Sequence, residues 1–238
     1  MKHLPNALTL ANLFCGCCAL LYTFYWQPEI AALFTIGSFI FDYLDGMTAR
    51  ALRVSSPLGK ELDSLADIVS FGVVPGAMLY CLLSGEVSIA TDSGNSLVDI
   101  YALPAFALSA FSALRLAKFN LDTRQANYFI GLSTPACTVF VLGLTLTAYH
   151  DLFGLKEMIE NKWFLYGLTA LLSWLLVSEL PMFGMKIKRF DLKSNQANLA
   201  FLGLFVLLIF LLNELALSAI IVCYIVLSVI FKNKIVSG

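Results

Sequence analysis

Eight apolar runs divide this chain, each close to the length of a bilayer-crossing helix. They cover approximately residues 7–26, 30–53, 57–84, 98–118, 134–150, 162–182, 196–213 and 215–231. A hydrocarbon core takes about 20 apolar residues per helix. Inside it every backbone N–H and C=O must be satisfied within the segment, which leaves an all-α transmembrane bundle as the natural fold. The composition agrees: 59% of residues are hydrophobic and only 13% charged, against about 25% charged in soluble domains. A soluble surface and intrinsic disorder are both excluded. The net charge of −1 gives no indication of nucleic-acid binding. The first run reads as a span rather than a cleavable signal peptide, with a single Lys2 ahead of it and no small-residue cleavage site. The last two runs are parted only by Asn213-Glu214, so this stretch reads either as one span or as two.

Lys and Arg set the orientation. With eight spans and a cytoplasmic N-terminus, thirteen of the fifteen basic residues fall in inside segments, leaving Lys156 and Lys162 outside. Both termini are therefore expected in the cytoplasm. Six cysteines scattered through apolar runs suit small buried thiols rather than disulfides. Cys15-Gly16-Cys17-Cys18 reads as small-residue packing, as do Gly72 and Gly76, and Pro75 is expected to kink the third span. The chain shows no fixed-period repeat, and its chemistry is concentrated in the first 135 residues or so.

Ionisable groups inside spans are costly and mark function. Asp42, Asp45, Glu61, Asp63 and Asp67 fall on the second and third runs. Spacings of three and four put Asp42 with Asp45, and Asp63 with Asp67, on one helical face each. The short turn near Val54–Pro57 makes the two helices antiparallel neighbours. Counted from that turn, Asp45 and Asp63 sit at similar depths, about nine and six residues in. Four carboxylates sharing one pocket require compensating cations. Oxygen-only donors select hard ions: Mg²⁺ or Mn²⁺, with Ca²⁺ also able to occupy the site, and room for two ions. Glu61 reads equally well as a solvated helix-end acid. Gly46 and Gly59 are poor helix formers; close approach of a flat ligand and close helix packing explain them equally well.

The stretch Asp42-x2-Asp45-Gly46-x2-Ala49-Arg50-x8-Gly59-x3-Asp63-x3-Asp67 matches all eight positions of the signature of the CDP-alcohol phosphotransferases, and the chain resembles that family over roughly residues 5–190. Asp63-Ser64-Leu65-Ala66-Asp67, followed by Ser70-Phe71-Gly72 and Pro75, is similar to the bacterial and archaeal (type II) phosphatidylserine synthase branch. Asn12, Arg115 to Asn120, Gly131 to Pro135, and Ser178-x2-Pro181 with Lys186 extend the likeness. Lys118 stands where many relatives carry a second Arg, which keeps the charge but loses the planar fork.

The resemblance implies a metal-dependent transfer of a phosphatidyl group from CDP-diacylglycerol to L-serine, giving phosphatidylserine and CMP. By the same resemblance Asp42, Asp45, Asp63 and Asp67 are metal ligands and Asp67 is the general base. Asp42, Gly46, Ala49, Arg50, Gly59 and Asp63 would hold the CDP moiety. Arg50 reads otherwise as a positive-inside anchor. Arg115 is the leading candidate for the serine carboxylate, followed by Lys118, Asn120, Ser64, Ser70 and Lys186; Arg115 and Lys118 read equally well as topology or lipid head-group contacts. The implied particle is a homodimer in the inner (cytoplasmic) membrane with its active site at the cytoplasmic face. Residues 1–190 form the catalytic domain and 191–238 a C-terminal helix pair of the same bundle. The alternatives are a transferase of the same family acting on glycerol phosphate or inositol phosphate, which would call for a denser basic pocket, and a cation-coupled transporter, which usually carries inverted repeats.

Overall fold

A computed structural model describes residues 3–54, 56–85, 98–122, 129–182 and 212–230. The described chain is mostly helical. Helices α1 (Leu4–Phe24), α2 (Pro28–Leu52), α3 (Pro57–Leu83) and α4 (Ile100–Leu121) are long and apolar enough to cross a membrane. Three shorter apolar helices of 16 residues follow: α5 (Thr134–Tyr149), α6 (Lys162–Val177) and α7 (Leu215–Ile230). Most of the run at 196–213 lies outside the described residues, as does Lys186.

Local chemistry fixes most of the helix boundaries. Pro5, Pro28, Pro57 and Pro135 sit in the first turns of α1, α2, α3 and α5, where a missing N–H costs nothing. Ser56 caps α3 by accepting the Gly59 N–H at 3.0 Å, and Asn161 caps α6 through Trp163 and Phe164. Arg53 closes α2 in the left-handed region, at φ 51°, and turns the chain directly into α3. The acids of α2 and α3 are thereby brought opposite one another.

Pro75 shapes α3 as follows. Residues Val69–Val73 widen into a π turn just before it. Proline cannot donate to the carbonyl four residues back and its ring crowds that carbonyl. Here that carbonyl belongs to Phe71, and the Thr138 hydroxyl on α5 lies 3.1 Å from it, shared with the Thr134 carbonyl of its own helix at 2.9 Å. Ser109 on α4 donates to the next carbonyl, Gly72, at 2.8 Å. Neighbouring hydroxyls thus satisfy the loosened backbone, as membrane helices require. Gly72 and Gly76 let α4 come close: a Cβ on Gly72 would lie 3.1 Å from Ser112 Cβ, and one on Gly76 would overlap Ser109 Oγ. Gly16 admits Ser70 in the same way, and all six cysteines are free thiols.

The second half of α3 and nearly all of α5 form the buried centre, with Phe71, Met78, Leu79, Leu82 and Leu83 at most 2% exposed. Phe14, Leu33, Leu58 and Trp163 point outward, as lipid-facing side chains do. Helix α7 lies on α5, where Ser218 donates to Phe140 O at 2.7 Å.

The sixth run ends earlier than its hydropathy implies. It was expected to reach residue 182, but α6 stops at Val177. Leu132 N–H takes the Leu175 carbonyl, and Gly131 N–H takes that of Leu180. Pro181 brings no N–H and disfavours helical backbone at Leu180. Residues Pro181–Met182 (β2) then pair antiparallel with Phe129–Ile130 (β1). His150, isolated in the sequence, meets Glu29 at 3.3 Å.

Candidate active site

Helices α1, α2, α3 and α4 converge on the acids. Asp42, Asp63 and Asp67 each bring a carboxylate oxygen within 4.8 Å of the others, and all three are partly exposed. Asp45 is outside this triplet. It is 6% exposed, and its Oδ2 accepts a 2.6 Å hydrogen bond from Thr9 Oγ1. Two in-face pairs therefore resolve into a tight group of three and a fourth acid held against α1. Glu61 is exposed and stands outside the group.

Helix α1 forms the wall behind these acids. Asn12 is fully buried, and its Nδ2 points at Asp67 Oδ1 from 3.4 Å. Its Oδ1 has no hydrogen-bond partner among the described residues. Its backbone carbonyl accepts from both Ser38 and Ser70. Asn6 reaches Gly59 of the signature, since a Cβ on Gly59 would lie 3.3 Å from Asn6 Oδ1 and 3.1 Å from Ser56 Oγ. Above Gly46 the nearest group is the Arg50 guanidinium, at 3.5 Å. Only a movable side chain thus borders Gly46, and Arg50 itself is exposed. Ala49 is half-buried beside them. This small-residue face leaves room for a flat ligand next to the acids.

Three carboxylates this close repel one another unless a cation or protons lie between them. All donors are oxygens and one side is open, which fits a hard divalent ion.

Arg115 extends the site along α4. It is 7% exposed, its guanidinium sits 5.2 Å from the Phe119 ring centre, and its Nη1 is 3.5 Å from Thr134 Oγ1. Its charge lies within electrostatic reach of Asp67. Arg115 and Lys118 also line a cleft with Asp122 and Glu179. Ser64 and Asn120 are joined, Nδ2 to Oγ at 2.7 Å. Lys60 Nζ donates to the Asn120 carbonyl at 3.0 Å. Ser70 is 1% exposed at the α1–α3 contact, with its hydroxyl turned to Asn12 O. It is not brought together with Arg115 in the cleft.

Thr9, Asn6, Thr134, Asp122 and Glu179 were not singled out from sequence. The first two carried a legible signal. Asn6, Thr9 and Asn12 recur every third residue within an apolar run, a polar stripe on one helical face.

The CDP-alcohol phosphatidyltransferase family model matches residues 2–177. A Helicobacter pylori protein named CDP-diacylglycerol–serine O-phosphatidyltransferase is 33% identical over 207 residues, covering 84% of this chain and 80% of the relative. A Bacillus subtilis protein of the same name is 35% identical over 174 residues, covering 68% and 89%. One from Mycobacterium tuberculosis is 34% identical over 189 residues, covering 76% and 61%. The chain belongs to the CDP-alcohol phosphatidyltransferase family.

Proposed function

We propose that this protein transfers the phosphatidyl group of CDP-diacylglycerol to L-serine, giving phosphatidylserine and CMP. The observation that carries the reading is the triplet of Asp42, Asp63 and Asp67 oxygens within 4.8 Å, set in the family signature beside the small face of Gly46 and Ala49. Asp42, Asp45, Asp63 and Asp67 hold divalent cations, Mg²⁺ or Mn²⁺, two being the expected number. Cations bound there would offset negative charge on the pyrophosphate as it is cleaved.

Gly46, Ala49 and Gly59 leave space for the cytidine, and Arg50 meets a phosphate. The serine hydroxyl oxygen attacks the phosphorus that bears the diacylglycerol. Its proton passes to Asp67, the P–O bond to CMP breaks, and CMP leaves. Arg115 takes the serine carboxylate, with Lys118, Asn120, Ser64 and Lys186 as further candidates around the acceptor. The mixed lining of that cleft, Arg115 and Lys118 with Asp122 and Glu179, suits a zwitterion better than a phosphate-bearing acceptor, which calls for positive charge alone.

The protein resides in the inner membrane with both termini and the active site on the cytoplasmic side. The excess of Lys and Arg in the corresponding connections supports this orientation. Residues 1–190 form the catalytic unit, and 191–238 complete the same bundle as a helix pair, a reading supported by the packing of α7 on α5. The homodimer rests on family likeness, and the mass of the detergent-solubilised particle tests it.

The reaction is tested by following CMP release from CDP-diacylglycerol in purified protein. Release should depend on serine, stop on chelation, and return with Mg²⁺ or Mn²⁺. Release that ignores serine, or persists after chelation, contradicts the proposal.

A further inference from the structure

We propose that Thr9 is a positioning residue for the acid site: its hydroxyl fixes Asp45 in the orientation that gives the site its cation affinity. The inference rests on the metal-dependent reading above.

Thr9 is 4% exposed on the inner face of α1. Its Oγ1 lies 2.6 Å from Asp45 Oδ2, the short range typical of a hydroxyl donating to a carboxylate. The same Oγ1 is 3.1 Å from Pro5 O. A hydroxyl carries one proton and cannot serve both acceptors at once. The shorter, charge-assisted contact to Asp45 takes it, and Pro5 O is the fallback. Five other helical threonines show what Thr9 would otherwise do. Thr23, Thr35, Thr145, Thr147 and Thr169 each give their proton to the carbonyl four residues back. None of these five bonds reaches a carboxylate.

Asp45 is the acid that most needs such a partner. It is buried and stands outside the Asp42–Asp63–Asp67 triplet. With one oxygen tied to α1, its rotation is restricted, and the carboxylate is held in one orientation toward the cation. Partners that orient ligating carboxylates typically change metal affinity ten- to a hundredfold, roughly, when removed.

The test is Mn²⁺ binding to purified protein without substrate, comparing wild type with Thr9→Val and Thr9→Ser. Valine keeps the shape and loses the hydroxyl; serine keeps the hydroxyl. The expected result is Mn²⁺ affinity about ten- to a hundredfold weaker in Thr9→Val and within about threefold of wild type in Thr9→Ser. Serine transfer by Thr9→Val should recover as Mn²⁺ is raised to saturation. Equal Mn²⁺ affinity in wild type and Thr9→Val overturns the proposal. So does equal weakening in both variants, which makes Thr9 a packing residue. If Thr9→Val does not fold, Thr9→Ala against Thr9→Ser makes the same comparison with the same two outcomes. Wild-type protein that takes up no Mn²⁺ defeats the metal reading itself, and the role of Thr9 with it.

Discussion

Replacing Asp67 by Asn keeps the side chain's size and removes one of three carboxylates whose oxygens lie within 4.8 Å of each other. At an effective dielectric of about 20, two unit charges at that separation repel by about 3 kcal/mol. Asp67 faces two such partners, Asp42 and Asp63. The three acids are partly exposed, so solvent and bound protons relieve much of this repulsion. The expected residue is about 1–3 kcal/mol of stability gained by Asp67→Asn in chelator. Catalysis should move the other way. With Asp67 as the proposed base, the amide cannot accept the serine proton, and loss of a general base costs at least about a hundredfold in kcat, or about 2.7 kcal/mol in barrier. Two assays read the two effects: thermal unfolding in chelator, and incorporation of labelled serine into lipid at saturating metal. CDP-diacylglycerol should still bind. A variant that turns over normally places the base elsewhere. One that melts lower than wild type in chelator means the acids do not repel, and refutes the charge argument behind the metal site.

Three further outcomes follow from particular contacts. Asp42→Asn should weaken cation and CDP-diacylglycerol binding together, seen by titrating each separately, since Asp42 belongs to the triplet and is proposed to hold the CDP moiety as well. Arg115→Lys keeps charge but loses the planar fork over Phe119; the KM for serine should rise about ten- to a hundredfold while that for CDP-diacylglycerol changes little. Equal loss for both substrates would mean that Arg115 binds phosphate or supports the fold. Gly131→Ala should cost about 1–3 kcal/mol in a thermal or denaturant melt, because φ is +73° and a Cβ would lie 2.8 Å from Leu176 O.

Among the described residues hydropathy alone located the helices well, because a membrane span has to satisfy its own backbone whatever surrounds it. The runs at 57–84, 134–150 and 215–231 match Pro57–Leu83, Thr134–Tyr149 and Leu215–Ile230 closely. It failed at 178–182, where a distant segment, Phe129–Leu132, captures the Leu175 carbonyl near the end of α6 and the Leu180 carbonyl just beyond it. Nothing local in Ser178-Glu179-Leu180 marks that capture except Pro181. The convergence of the acids was legible because their spacing and the short turn after Arg53 leave little freedom. Their inequality was not. Asp42 and Asp45 are alike in sequence, yet one joins the triplet and the other bonds to Thr9. Thr9 itself resembles Thr23 or Thr35, whose hydroxyls only serve their own helix, so its second contact becomes visible only once α1 and α2 are packed. Ser70 shows the reverse: beside the acid motif in sequence, it is spent on the contact with α1.

The most direct measurement of the central claim is an acceptor comparison. Purified protein in detergent is given CDP-diacylglycerol with labelled serine, glycerol phosphate or inositol phosphate, with chelator and again after Mg²⁺ or Mn²⁺ is restored. The account predicts label in lipid from serine alone, abolished by chelation and recovered with either ion. Labelled lipid from glycerol phosphate or inositol phosphate in place of serine, or serine transfer that survives thorough chelation, would contradict it.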